Sequence, residues 1–395
     1  MSTTSQHSAI PVPSQAVVRL GRLLSLDLLR GLTIGFMILV NNNGNEAAAY
    51  WPLKHAAWNG FTPTDLVFPT FLFLVGITTV FSIASRLAKG TTRQSLFVHV
   101  IRRSVILYLL GLVVNSFPYF HLHTMRFYGV LPRIAICYFV VASLYLISPS
   151  WRSKVTLAIA ALIGYWILMR FVPVPGYGIP GRDILLLDHD ANLAAWLDRQ
   201  IFSASHLYER TRDPEGLLST IPAFATALLG LLTGIWLRTQ RSVVSKMSGI
   251  AIAGLSGVLL GGLWNLSFPI NKKLWTSSYV LFAGGLSLLL LALCLLIFDR
   301  PDRNLDGSGR SRFLKPFFIF GMNAIAAYVF SELLASTLGS IHPRPGLNLS
   351  QLLYRSIEGV IPNPALASLL YSFAFVVVCW LFISVLYRRN IFLKI

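Results

Sequence analysis

Between Asn41 and Pro69 the chain reads NNNGNEAAAYWPLKHAAWNGFTPTDLVFP, a short connection that holds a His, an Asp and several Asn between two apolar segments. His55 has the widest chemistry there: an imidazole shuttles protons near neutral pH and can also accept an acyl group as a nucleophile. Asp65 can orient that ring through one nitrogen, as the third member of a triad does. It can equally cap the next helix, since Asp ahead of Leu-Val-Phe is a good N-cap, and one side chain is not expected to do both. Asn41 ends the preceding apolar segment, and its amide can donate to a developing oxyanion. An interfacial His taken alone is structural more often than catalytic. The expected convergence of Asn41 and Asp65 on His55 raises it above that reading.

The elements that must position these residues are membrane helices. Of 395 residues, 55% are hydrophobic and only 12% charged, and mean hydropathy is +0.65, whereas a soluble domain carries roughly 25% charged residues. Apolar runs of about 18–22 residues follow one another, the length of a helical span; the alternation of a β-barrel is absent. The expected fold is an all-α polytopic membrane protein, a bundle of about ten transmembrane helices. The spans fall near 23–43, 64–85, 97–115, 129–148, 155–172, 218–237, 248–266, 277–298, 314–338 and 366–386. Residues 1–22 form a polar tail with no cleavable signal, and 23–395 a single domain with a long outer loop at about 173–217. Of the 33 Lys and Arg, 21 lie at one set of span ends and 12 at the other. The positive-inside bias places both termini in the cytoplasm and the His55 loop outside.

A net charge of +18 invites a nucleic-acid reading, but the basic residues are spread over short flanking loops with no contiguous basic face. Topology and anionic lipid headgroups explain them better. Asp27 and Arg30, three apart on the first span, read as an ion pair. Arg133 lies near the outer end of the fourth span. Asn323 and Glu332 lie within the ninth, and a carboxylate there must face the bundle interior or water. Gly31/Gly35, Gly230/Gly234 and Gly257/Gly261 have the spacing that lets helices pack closely; internal packing is the main reading and a homodimer interface the second. Cys137, Cys294 and Cys379 are isolated in apolar runs and read as small hydrophobes. His121/His123 and His189 lack further ligands, so no metal is expected, and no Walker, dinucleotide or HExxH motif occurs.

The chain resembles the lysosomal heparan-alpha-glucosaminide N-acetyltransferase family and its bacterial relatives, within the transmembrane acyltransferase superfamily. The resemblance runs from about Leu23 to Ile395. It is carried by SLDLLRG at 25–31, Asn41, KHAAWNG at 54–60, DLVFP at 65–69, DPEGLLSTI at 213–221, INKKLW at 270–275, GMN at 321–323 and the terminal IFLKI. It implies acetyl transfer from cytoplasmic acetyl-CoA to an amino sugar across the membrane, with the family's active-site His on His55 and its neighbouring Asn on Asn41. Only about 22 polar residues precede the first span, so the lysosomal member's lumenal domain and extra leading span are not expected here. Asn42-Asn43-Gly44-Asn45 also departs from the lysosomal loop.

On this reading His55, Asn41 and Asp65 are catalytic. Asn42, Trp58, Asn59, Arg133, Asn271, Lys272, Asn323 and Glu332 contact substrate. The acyl donor is acetyl-CoA, whose phosphates suit Arg and Lys at cytoplasmic helix ends. His55 serves as general base in a ternary complex, with an acetyl-His intermediate as the other route. The alternatives are a proton-coupled amino-sugar transporter using His55, Asp65 and Glu332, and an acyltransferase acting on a lipid-linked envelope glycan.

Overall fold

The computed structural model describes residues 23–299 and 308–393, with side chains from 314 in the second stretch; the 1–22 tail lies outside them. Among the described residues every named element is helical. The long helices are α1 (Leu24–Asn41), α2 (Val67–Ala88), α3 (Arg93–Ser116), α4 (Val130–Ile147) and α5 (Trp151–Phe171). A short α6 (Leu193–Ile201) precedes α7 (Thr220–Leu237), α8 (Val243–Trp264), α9 (Ser277–Phe298), α10 (Ser308–Met322), α11 (Ala324–Ser340), α12 (Leu349–Glu358) and α13 (Pro364–Arg388). Nine are long and apolar enough to cross a bilayer, and α10 with α11 makes a tenth if counted as one broken span.

That tenth span departs from the expected straight 314–338. The chain bends by 88° between α10 and α11, at Asn323, whose φ and ψ of −127° and 42° are not helical. The cause is a local exchange of partners. Asn323 Nδ2 donates to Ile391 O at 3.0 Å, and Leu393 N–H donates to Asn323 Oδ1 at 3.1 Å. The amide pairs with the segment after α13 as a peptide group would, which satisfies backbone polar groups at a break within the bundle.

Close backbone packing holds the site-bearing helices. A Cβ on Gly230 of α7 would sit 1.9 Å from Phe73 O of α2, and one on Gly31 of α1 would sit 1.8 Å from Phe317 O of α10. Gly257 and Gly261 of α8 face the α9 backbone in the same way. These glycines therefore pack helices within the chain. Gly230→Val should force α7 from α2 at a cost of about 1–3 kcal/mol or more. Thermal unfolding of the detergent-solubilised protein should shift down by several degrees; an unchanged midpoint would contradict this packing.

Helix ends are capped across the bundle. Leu23 at the N-cap of α1 has no capping side chain. Instead Leu24 and Ser25 N–H groups donate to the Asp299 carboxylate beyond α9, at 3.3 and 3.2 Å, a negative charge at the positive end of a helix dipole. Nearby, Arg30 Nη2 donates to Asp27 Oδ1 at 2.6 Å, the ion pair expected from their spacing, and its Nε donates to Gly321 O at 2.5 Å.

Candidate active site

The turn before α2 builds the site. Thr62 is the N-cap of a one-turn 3-10 helix (Pro63–Leu66), with Pro63 at its first position and Asp65 at its third, forming a capping box. Asp65 Oδ2 accepts from Thr62 N–H at 3.0 Å and from Ala56 N–H at 3.1 Å, with Thr62 Oγ1 also 3.0 Å away. Two backbone N–H donors on one oxygen suit an acceptor-only carboxylate. Oδ1 remains free for His55, whose Nδ1 lies 2.7 Å away. The two roles expected to compete are thus shared between the two carboxylate oxygens, and Thr62 is the N-cap.

The rest of the connection is fixed just as locally. Thr62 Oγ1–H also lies 2.6 Å from Lys54 O, and Thr64 Oγ1 donates to Pro52 O at 2.9 Å. Tyr279 of α9 donates its hydroxyl to Asp65 O at 2.7 Å. With Nδ1–H given to Asp65, Nε2 carries the lone pair. The His55 side chain is 34% exposed and Asp65 is 1% exposed. Burial pushes the His55 titration down, the Asp65 hydrogen bond pushes it up, Lys272 pushes it down, and the net direction is downward. Near neutral pH this favours the uncharged ring.

Lys272 is the neighbour that spacing along the chain did not place. Its Nζ lies 3.2 Å from both His55 nitrogens, across 217 residues. Asn271 positions it: Leu274 N–H donates to Asn271 Oδ1 at 2.9 Å, Asn271 Nδ2 donates to Asn59 Oδ1 at 3.1 Å, and Gly60 N–H donates to Ile270 O at 2.8 Å. Asn59 and Asn271 therefore join the two loops. Trp275, at φ 52°, is fully buried and donates Nε1–H to Thr226 at 3.1 Å.

The other expected site residues are placed as follows. Asn41 ends α1 within electrostatic reach of the Glu332 carboxylate of α11. Asn42 Nδ2 donates back to Ile38 O at 2.8 Å. Trp58 stacks on His189 with centroids 3.9 Å apart, donates Nε1–H to Leu187 O at 2.8 Å, and has the Arg212 guanidinium 5.1 Å from its ring. Those contacts clasp the 173–217 segment onto the His55 loop. Asn323 is spent on the segment after α13, as described above. Arg133 is 1% exposed, with Nη2 donating to Gly216 O at 3.2 Å and to Ser219.

A charged cluster behind Lys272 went unassigned by sequence. Arg126 donates to both Asp213 oxygens at 2.7 and 2.5 Å and to Glu215 Oε2 at 2.5 Å. Burial alone would raise Glu215, but Arg126, Arg133 and Lys272 together hold it below the usual carboxylate range. The signal was present in DPEG, since the chain has only 15 acidic residues and two of them stand one residue apart. Nearby, burial and Asp213 push Asp198 up to about 7, against the N–H of Leu217. Among the described residues no three His, Cys, Asp or Glu side chains converge as a metal site.

A cavity of about 580 Å³ opens at the other end of the same helices. Its basic rim is Arg30, Arg86, His99 and Arg103. Arg103 lies 4.5 Å over the Tyr138 ring, and its buried Nε has no hydrogen-bond partner. The lining follows α2 from Arg86 to Phe71, about 22 Å of helix, and Phe71 is about 9 Å along the same axis from Asp65. Phe392 and Leu393 complete one wall.

Comparison with known proteins finds relatives of this chain. The family model described as "Heparan-alpha-glucosaminide N-acetyltransferase, catalytic" matches residues 22–268. The chain is 31% identical to heparan-alpha-glucosaminide N-acetyltransferase of Mus musculus, over 79% of this chain and 54% of that protein. It is 32% identical to the protein of the same name from Homo sapiens, over 79% and 53%. The chain thus spans about half the length of the curated relatives it matches.

Proposed function

Because the chain belongs to the heparan-alpha-glucosaminide N-acetyltransferase catalytic family, we propose that it is a membrane N-acetyltransferase. It carries acetyl from acetyl-CoA to the amino group of a glucosamine-type sugar. The observation that carries the reading is the His55–Asp65 pair, with Nε2 left as the lone-pair nitrogen, at one end of α2 and a basic-rimmed cavity along the rest of it. An amine at neutral pH is mostly protonated, so attack on a thioester needs a base, and a neutral imidazole oriented by a carboxylate meets that need.

The donor enters from the basic end, which the charge bias places in the cytoplasm together with both termini. Guanidinium groups there suit the phosphates of CoA, and Arg103 has a nitrogen to give. A cavity of this volume lies within the range of ligand sites, and its length along α2 matches an extended arm directing its thioester toward His55. At the far end the amino sugar meets His55, with the Asn41–Glu332 pair and the exposed Asn59 as hydrogen-bonding partners for its hydroxyls and amine.

The deciding experiment uses vesicles holding the purified protein in one orientation. Labelled acetyl should reach an enclosed or external amino sugar only when acetyl-CoA faces the Arg86–Arg103 end. Equal transfer with the donor confined to the His55 face would overturn the transmembrane route. No consumption of acetyl-CoA on any amino sugar would overturn the activity.

A further inference from the structure

Lys272, expected from the sequence to contact substrate, has no part in the reaction described above, although its ammonium lies 3.2 Å from both nitrogens of the His55 ring. The in-plane directions of the two ring nitrogens diverge, so a point equidistant from both lies along neither. The ammonium therefore flanks the ring. It does not occupy the Nε2 lone pair, and its own N–H bonds remain available to a group bound beside that nitrogen.

The fold holds it there against electrostatic resistance. Burial pushes Lys272 below the ordinary lysine range; Glu215 and Asp65 pull it back up, and Lys273 and Arg133 push it down again. A protonated imidazole would oppose the ammonium beside it, so the lysine sits against the ring while the ring is neutral. The Asn271 amide and the Asn59–Asn271 bond nonetheless lock the turn that carries it.

We propose that Lys272 is a catalytic residue whose ammonium donates a hydrogen bond to the acetyl carbonyl oxygen as that oxygen becomes an oxyanion beside His55 Nε2. This rests on the acetyl-transfer reading above. The attacking nitrogen forms a bond to the acetyl carbon, and the C=O pair moves onto oxygen, where Lys272 meets it. The pair then returns, the C–S bond breaks, and the sulfur leaves with its electrons. The proton lost by the amine is held on Nε2 and passes to the thiolate, while Lys272 keeps its own protons throughout. A preorganised donor at a developing oxyanion contributes typically 10²–10³-fold.

The test uses the full chain in nanodiscs, with Lys272→Met, which keeps length and loses charge, and Lys272→Arg. Lys272→Gln replaces the methionine variant if that protein fails to fold. Acetyl-CoA is offered with glucosamine and, separately, with hydroxylamine, a nucleophile that needs no sugar site. Lys272→Met should lower kcat about 10²-fold with both nucleophiles, leave each KM within about threefold, and be partly rescued by Lys272→Arg. The acid limb of its kcat/KM profile should also move to higher pH, because a like charge has left His55 while Asp65 and Glu46 still face the ring and Glu215, Lys273 and Arg133 stay in place. A kcat within threefold of normal, or a loss confined to KM, would overturn the proposal. If the normal protein acetylates hydroxylamine but no amino sugar, the acceptor reading fails and Lys272 is still judged. If it acetylates neither, both fall.

Discussion

His55→Ala should reduce acetyl transfer to background while acetyl-CoA binding stays within a few-fold of normal. A positioned base contributes typically 10²–10⁴-fold, and if the acetyl group rests on the ring the residue is indispensable. The surrounding groups cannot replace it. Lys54 Nζ donates to Ala47 O at 2.5 Å, pointing away along the loop, and Glu46 is exposed. Lys272 lies close but, as an ammonium, offers no lone pair. The cavity proposed for the donor is lined by other residues, so binding of acetyl-CoA, measured by titration calorimetry, separates loss of chemistry from loss of fold. The same residue sets the pH profile. Because burial and Lys272 hold His55 below its ordinary value of 6.5, the base stays neutral and active on the acid side of that value. Activity should fall only as pH drops through the lowered titration point. An acid limb centred above 6.5 in the normal protein, or near-normal turnover by His55→Ala, would remove His55 from the reaction.

Asp65→Asn should cost about 10³–10⁴-fold in kcat with the fold retained, an inversion of the imidazole tautomer being worth that much in a triad. The asparagine Oδ1 can still accept from Ala56 and Thr62 N–H, so the capping box survives. Its Nδ2, now facing His55 Nδ1, is a donor where an acceptor stood. The ring must then present a lone pair at Nδ1 and carry its proton on Nε2, which leaves nothing to take the amine proton. Asp65→Ala removes the carboxylate half of the capping box as well, while Thr62 stays as N-cap, at a further cost of about 0.3–1.5 kcal/mol in stability. Comparing the two variants separates the two oxygens of one carboxylate: the Asn variant should unfold near the normal temperature and be nearly inactive, and the Ala variant should be both inactive and less stable. An active Asp65→Asn protein would mean that the 2.7 Å contact to His55 does not orient the ring during turnover.

Much of this site is legible in the linear order of residues, because its central contacts are local. Thr62, Pro63 and Asp65 announce a helix start, and a helix start ten residues after His55 brings a carboxylate to the ring without help from the rest of the chain. The class of the protein is equally plain, since an apolar run long enough to cross a bilayer satisfies its backbone internally and needs no partner to be recognised. Asp27 and Arg30 meet because they share a helix face. What local chemistry could not supply is the company these groups keep. Lys272 reaches His55 across 217 residues only because the turn before α9 is tied through Asn271 to Asn59. α11 takes its direction only because the chain bends by 88° at Asn323. Trp58, a natural sugar platform by type, is covered by His189 and Arg212 from a loop whose path no periodicity encodes. Helix packing order and a broken span are settled by which faces fit together, through contacts such as Gly230 against Phe73 O, and such fits join residues far apart in the chain. The sequence by itself thus determined the membrane bundle and the histidine–carboxylate pair. Tertiary structure decided the charge beside that pair and the cavity along α2, because both are made by segments that only their mutual packing brings together.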